Sequence, residues 1–518
     1  MAVIVDCDCD GYTSSAIFIN YLYSLFPNYV ERNLSYFVHD SKTHGLSDTM
    51  DWLNNRTNLG LVVLPDSSSN DYEYHKQLRE QGIEVLILDH HDADHISEYA
   101  LVINNQLSDY PNKNLSGAGV TWQFCRYLDK LLGKNNAEKY RDLVALGLDA
   151  DMMSLTNIET KHLIGTGLAS PRNPFIVKMA ERNDYSLKGK LTPIGVAFYI
   201  APFVNAMTRS GSIEEKQLLF ESMLEYRAFD ILPSTKRGHG LGETETLVDQ
   251  AIRVATNVKN RQTKVQDECI AKIEHRIEEE NLLSHKVLLF LMEPGEVDRN
   301  VAGLVANKIM SKYQRPVCIL TAAYLADTPP WEPAISNEEV VYSGSARGCD
   351  KVGLNDFKSV CLATGVCNYA EGHPGAFGLS IKGSQIDAFI QKTDELLKDM
   401  NDEAIYFVDY IYEGDNVNPD NILSIANMEY LWGKDMDEPF IAIKNLKIAP
   451  EMVTIYDKRG YTLKIHTPNG MDFLKFNASE HDCEVFQYNN TGFIEVNIIG
   501  RCNRNEWMGN ITPQIFIE

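Results

Sequence analysis

The hydrophobic positions change their rhythm along the chain. Near the N-terminus, short continuous apolar runs at Val3–Val5, Leu61–Leu64 and Val85–Leu88 are separated by longer amphipathic stretches of helical period. Such runs separated by helices predict an α/β domain: a parallel sheet with helices on both faces. From Leu247 the apolar residues recur at Ala251, Val254, Val258, Val265, Cys269, Ile273 and Ile277. A period of about 3.6 residues held over this distance predicts one long helix, read as a connector between compact regions. Beyond it, Val287–Leu291 and Val317–Leu320 predict strands around a helix at Asn300–Lys312, followed by a Gly-rich region from Gly344 to Gly378. This pattern predicts a second, smaller α/β domain. From about Tyr406 the texture becomes short alternating strands, including Phe440–Ile443, Tyr461–Ile465, Phe493–Ile499 and Gln514–Ile517. They predict a small C-terminal β-barrel, with an OB-fold as the specific candidate. The expected boundaries are 1–240, 241–283 for the connecting helix, 284–400 and 401–518.

Composition narrows the class. A chain of 518 residues, 44% hydrophobic and 23% charged, has the balance of a globular protein and is too long for one core. No run approaches the roughly 20 apolar residues of a membrane span, and the N-terminus enters the strand Val3-Ile4-Val5 directly, which predicts a cytoplasmic protein without membrane contact. The net charge of −24 argues against a uniformly basic nucleic-acid coat, so any nucleic-acid path must be local. The ten cysteines lack CxxC spacing and are expected to be reduced. Cys7 and Cys9 are read as packing against the sheet.

The candidate chemistry lies at the ends of the predicted strands. Asp6, Asp8 and Asp10 alternate in DCDCDG after the first run, and acids this close repel one another unless a cation compensates them. Taken alone, the triplet is read equally well as a surface turn. Asp66 in LPDSSSND ends the second run, Asp89-His90-His91-Asp92 ends the third, and Asp151 follows the helical stretch Leu143–Leu148. Parallel sheets bind ligands outside the carboxyl ends of their strands, so these groups should converge at one edge. Oxygen ligands with one or two imidazoles favour manganese or magnesium over zinc. Lys236, Arg237 and His239, near Gly238 and Gly240, form a basic loop that is read equally as solvated surface.

DCDCDG, the Asp66 segment, LDHH and ADMMSL together resemble the four consecutive motifs of the DHH phosphoesterases. The resemblance continues in LSGAGVTW at Leu115–Trp122 and in IAPFVNA at Ile200–Ala206. GSARG at Gly344–Gly348 and EGHPGAFG at Glu371–Gly378 look like signatures of the DHH-associated domain. The C-terminal NEWMGNITPQIFIE and the Glu438-Pro439-Phe440 segment resemble the OB domain of RecJ-type exonucleases. Phe203 departs from the family, which usually has arginine there, and His44-Gly45-Leu46 replaces a Gly-Tyr-Gly turn.

The resemblance implies two Mn2+ or Mg2+ ions: Asp6 and Asp8 would hold one, Asp10, His90 and Asp151 the other, and Asp66 would bridge them. Two such ions activate a water and neutralise a phosphodiester. Asp89 and His91 are the implied catalytic pair, the first orienting a histidine and the second facing the scissile phosphate. Arg347, Gly344, Ser345, Gly372 and His373 of the second α/β domain, with Asn205 and Arg209, are the implied substrate-binding residues. The implied activity is a RecJ-like exonuclease of single-stranded DNA running 5′→3′, with a single-strand-binding protein or a helicase as further partners. Two other readings remain at this stage: a phosphoesterase of short oligoribonucleotides or cyclic dinucleotides, which leaves everything after about residue 400 unexplained, and an inactive replication scaffold, which would have lost ligands that are present here.

Overall fold

The computed structural model describes all residues except 41–43, 237, 239–241, 325–339, 402, 415, 458–459 and 488–491. Arg237, His239 and Gly240 of the basic loop therefore lie outside the described residues. The chain divides into two compact units, one formed by Met1–Val258 with Val408–Glu518 and the other by Lys259–Phe407.

In the first unit, β1 (Ala2–Val5), β2 (Ser35–Val38), β3 (Leu61–Pro65), β4 (Glu84–Asp89) and β5 (Leu101–Asn104) form a sheet in the order β2-β1-β3-β4-β5. Every pairing is parallel. The three expected strands are β1, β3 and β4, whose apolar runs are buried almost throughout. The two strands that periodicity did not single out flank them. β2 is mostly half-buried, and the edge strand β5 exposes Leu101. The chain leaves β1 towards β2 on one side and leaves β3 towards β4 on the other, which opens a crevice between the carboxyl ends of β1 and β3.

Helix α1 (Cys9–Leu25) starts at that crevice and packs against α2 (Gly117–Leu132) and α3 (Arg141–Ala150). Its first thirteen residues are buried, from Cys9 to Tyr21, so the helix that opens with the acid triplet is central to the core. Further along come α4 (Ala201–Ser210), α5 (Ile213–Ser222) and the long helix α6 (Leu247–Glu279). The apolar stripe of α6 serves two cores. Val248, Ile252, Ala255 and Val258 pack in the first unit, and Cys269, Ile273 and Ile277 in the second. Val265 between them is exposed.

The second unit contains β6 (Leu288–Met292), α7 (Arg299–Tyr313), β7 (Val317–Tyr324), β8 (Val340–Arg347), β9 (Cys367–His373) and β10 (Ala376–Lys382). Its sheet runs β9-β10-β8-β7-β6, parallel only between β6 and β7, where α7 makes the crossover.

The C-terminal part of the first unit is a seven-stranded sheet. Its strands are β11 (Tyr410–Glu413), β12 (Phe440–Ile448), β13 (Val453–Tyr456), β14 (Tyr461–His466), β15 (Asp472–Ala478), β16 (Ile494–Trp507) and β17 (Asn510–Ile517), ordered β11-β12-β16-β17-β15-β14-β13. It has its own core around Ile441, Ile443, Ile465, Phe473 and Ile515. It docks on the parallel-sheet domain through backbone and cationic contacts. The Leu155 amide donates to the Lys434 carbonyl (2.9 Å), and the Lys188 ammonium to the Arg504 carbonyl (2.7 Å). No described helix is long and apolar enough to cross a membrane.

Candidate metal centre

The acid triplet sits where β1 turns into α1. Asp6 is fully buried. Asp8 is the N-cap of α1, its Oδ1 accepting from the Gly11 amide (2.9 Å), so one of its oxygens is committed to the helix start. Asp10 lies in the first turn, where its Oδ1 accepts from the Ser116 hydroxyl (2.7 Å) and the Ala118 amide (3.2 Å) at the start of α2. These bonds leave Oδ2 pointing at His90, whose Nε2 is 4.0 Å away.

Asp66 follows β3 in the left-handed region, at φ 73°, a strained conformation for a side chain with a Cβ. Its amide is tied to the Leu88 carbonyl of β4 (2.8 Å), which holds the turn. The strained turn brings Asp66 Oδ1 to 3.2 Å from His90 Nε2, and Asp151 Oδ2, at the end of α3, lies 3.4 Å from the same nitrogen. One imidazole nitrogen thus has three carboxylates around it. Among the described residues, four sets have donor atoms within 4.8 Å of one another: Asp6, Asp8 and Asp66; Asp10, His90 and Asp151; Asp66, His90 and His91; and Asp6, Cys7 and His44.

These groups fit a cation. Asp6 Oδ1, Asp10 Oδ2 and Asp66 Oδ1 are buried and accept no hydrogen bond, a costly arrangement for anionic oxygens unless a positive charge lies among them. Burial raises the carboxyl pKa of Asp6, Asp10 and Asp66, and repulsion from Asp10, Asp8 and Asp6 raises Asp66 further. Burial, then repulsion from Asp10 and Asp8, pushes Asp151 up to about 8.

Asp89 behaves differently. Burial pushes its pKa up, but hydrogen bonds from His91 and Ser69 outweigh this and hold it at about 2. Its Oδ1 accepts from the amides of His90 (2.7 Å) and His91 (3.2 Å) and faces His91 Nδ1 (2.8 Å), while Oδ2 accepts from the Ser69 amide (3.1 Å). With both oxygens engaged, Asp89 positions the His90–His91 turn. The Asp89 bond raises the His91 pKa to about 9 against the effect of burial. A cleft of about 330 Å3 opens beside these groups, lined in part by His44, Gly45, Asp66, Ser68, Asp89 and His91.

Several shaping residues carried no assigned role in the sequence. A Cβ on Gly117 would lie 2.4 Å from Asp66 Oδ1, and one on Gly147 would lie 2.4 Å from Asp10 Oδ1, so both helices approach the acids only because these positions lack side chains. Ser116 and Gly117 belong to LSGAGVTW, and that motif was the available signal. Asn205 and Arg209 are four residues apart on one face of α4, and neither hydrogen-bonds the cluster among the described residues.

Within the second unit, Arg347 and His373 come to the same end of the sheet, since both pair with Ala376 of β10. The Gly348 amide donates to the Gly375 carbonyl there (2.9 Å). Arg347 and Ser345 both lie over Gly303 of α7, and Arg347 Nη1 donates to the Ala346 carbonyl (2.7 Å). Gly344 has a packing reason of its own: a Cβ would meet the Ile319 carbonyl of β7 at 2.1 Å. Gly372, at φ 125°, opens the turn before His373, which is exposed.

Comparison with known proteins agrees with this architecture. Residues 1–148 match the DHH family, N-terminal domain, and residues 408–518 match the RecJ OB domain. The SPbeta prophage-derived protein YorK of Bacillus subtilis, named as an inferred single-strand DNA-specific exonuclease, is 34% identical over 99% of this chain and 86% of its own length. The single-stranded-DNA-specific exonuclease RecJ of the same bacterium is 22% identical over 99% of this chain and 60% of its own. The crystal structure of RecJ from Thermus thermophilus in complex with Mn2+ superposes with a TM-score of 0.70 at 19% identity, covering 100% of this chain and 68% of that one. The fold, the convergent acids and these likenesses agree: the chain belongs to the DHH family, in the group that joins a DHH domain to a RecJ OB domain.

Proposed function

We propose that this chain is a divalent-metal-dependent exonuclease of single-stranded DNA, with Asp6, Asp8 and Asp66 holding one ion and Asp10, His90, Asp151 and Asp66 a second. The observation that carries this reading is the set of buried carboxylate oxygens without hydrogen-bond donors on Asp6, Asp10 and Asp66, at the switch point of a parallel sheet. Mn2+ or Mg2+ bound there supplies the charge that acidifies a water and neutralises a phosphodiester.

The chain's own residues do the rest. Ser116 and the Ala118 amide hold Asp10 so that its second oxygen faces the ligand set. Asp89 favours the protonated form of His91, with Nδ1–H directed at Asp89. The remaining Nε2–H is then a charged donor for a phosphate oxygen in the adjoining cleft. Arg347 and His373 grip the phosphate backbone, and Asn205 and Arg209 add a further contact. On the C-terminal sheet, Phe493 and Trp507 are half or more exposed, with the Lys447 ammonium 5.1 Å from the Phe493 ring. Exposed aromatics beside a cation suit the stacking of unpaired bases.

The test is digestion of end-labelled single- and double-stranded DNA in Mn2+, in Mg2+ and in chelator. Stepwise release of nucleotides from the 5′ end of the single strand alone, abolished by chelator, is the expected result. Preference for a dinucleotide over a long strand overturns the reading.

A further inference from the structure

The turn His44-Gly45-Leu46 places an imidazole beside the acid triplet. His44 Nδ1 lies 2.7 Å from Asp6 Oδ2, and Cys7 Sγ lies 3.7 and 3.8 Å from the two ring nitrogens. The donor atoms of Asp6, Cys7 and His44 are all within 4.8 Å of one another. We propose that these three residues form a further cation site, taking a borderline divalent ion such as Zn2+ and sharing Asp6 with the carboxylate set.

The donor chemistry separates this site from its neighbour. Asp6, Asp8 and Asp66 offer oxygen alone, which suits hard ions, whereas a thiol, an imidazole and a carboxylate are the donors zinc selects. Three protein ligands leave a fourth tetrahedral position open, and the half-exposed His44 ring, which also lines the cleft, marks the open side.

The positions are prepared for an ion. Asp6 is fully buried, one oxygen is taken by His44, and the other accepts no hydrogen bond. Gly45, at φ 74°, packs so tightly that a Cβ would lie 2.2 Å from Asp71 Oδ2, and the same oxygen accepts from the Leu46 amide (2.9 Å) and the Ser68 hydroxyl (2.7 Å). Asp71 therefore fixes the turn that presents His44. On binding, the Cys7 thiol proton and one proton of the His44 imidazolium that is paired with Asp6 leave to solvent, and the thiolate and the neutral imidazole become ligands. An ion held here draws Asp6 away from Asp8 and Asp66, so zinc and manganese compete for one carboxylate.

The test uses Co2+ as a spectroscopic stand-in for zinc on the full-length protein. It depends on Asp6, Cys7 and His44 and not on the nuclease reading, so its failure leaves that reading standing. The wild-type protein should develop a near-ultraviolet thiolate-to-cobalt charge-transfer band that saturates with one ion and is displaced by Zn2+. C7S should abolish the band. H44A, at an exposed position where folding is not at stake, should weaken the affinity read from it. In parallel, Zn2+ should release bound Mn2+, read by electron paramagnetic resonance, at lower concentration from the wild type than from C7S. Cobalt binding without a thiolate band, or a band that survives C7S, overturns the site.

Discussion

Replacing Gly117 with alanine perturbs the centre without removing any ligand. The added Cβ would lie 2.4 Å from Asp66 Oδ1, 2.5 Å from Asp66 Cβ and 2.7 Å from its Cγ, where ordinary contact begins at 3.4 Å. About 1 Å of relief is needed, and a misplacement of that size at a reacting centre costs on the order of a hundredfold in rate. The helix start cannot easily supply it, because the Ser116 hydroxyl and the Ala118 amide are both bonded to Asp10. The Asp66 backbone is fixed by its amide bond to Leu88 and already sits at a positive φ. The Asp66 carboxylate must therefore swing away from His90. Overpacking should cost about 1–3 kcal/mol of stability, so the variant folds. Gly165→Ala is the matched control, in an exposed helical position with nothing within 4 Å of the new atom, and should leave stability equal or raised by about 0.4–1 kcal/mol. The assay is kcat/KM on a 5′-labelled single strand, with Mn2+ affinity and urea unfolding measured alongside. If Gly117→Ala keeps more than about a third of the wild-type kcat/KM with unchanged Mn2+ affinity, the packing of α2 on Asp66 does not hold the centre together.

Four further outcomes follow from the same structure. Asp66→Ala should lower hydrolysis by several orders of magnitude with an unchanged circular-dichroism spectrum, because no neighbouring acid spans both ligand sets. Arg347→Ala should weaken single-strand binding by about 1.5–3 kcal/mol, read by fluorescence anisotropy, with Mn2+ affinity unchanged. Trp507→Ala should cost about 1–3 kcal/mol in affinity for a long strand and nothing for a dinucleotide, if the exposed indole stacks one base. Glu245 has its carboxyl pKa held at about 2 against the effect of burial, through bonds from Arg253, Gln250 and the Thr235 amide, so it stabilises the fold above its ordinary value of 4.5 and loses that contribution as pH falls towards 2. Glu245→Gln should accordingly lower the urea midpoint at neutral pH, and the gap to wild type should narrow as the solution is acidified below 4.5.

What was legible in the sequence follows from how local each signal is. β1, β3 and β4 are continuous apolar runs ending in acids, so both the strands and the functional edge could be read directly. SYFV of β2 and LVIN of β5 were not, because a half-buried strand and an edge strand of four residues each carry too little apolar periodicity. Asp8 combines a helix cap with the proposed ligand role, and its spacing to Asp6 and Asp10 points only to the second. Ser116 and Gly117 were marked only as part of LSGAGVTW, and Gly147 by nothing, because all three matter through contacts with acids far away in sequence. The importance of His44 is likewise spatial: its place beside Asp6 depends on a turn anchored by Asp71.

In the proposed centre two cations share Asp66. Crystals of the protein grown with Mn2+ and measured at the manganese absorption edge test it directly. Two anomalous peaks are expected, one among Asp6, Asp8 and Asp66 and one among Asp10, His90 and Asp151, both in contact with the Asp66 carboxylate. A single peak, or peaks that leave Asp66 without a metal bond, would contradict it.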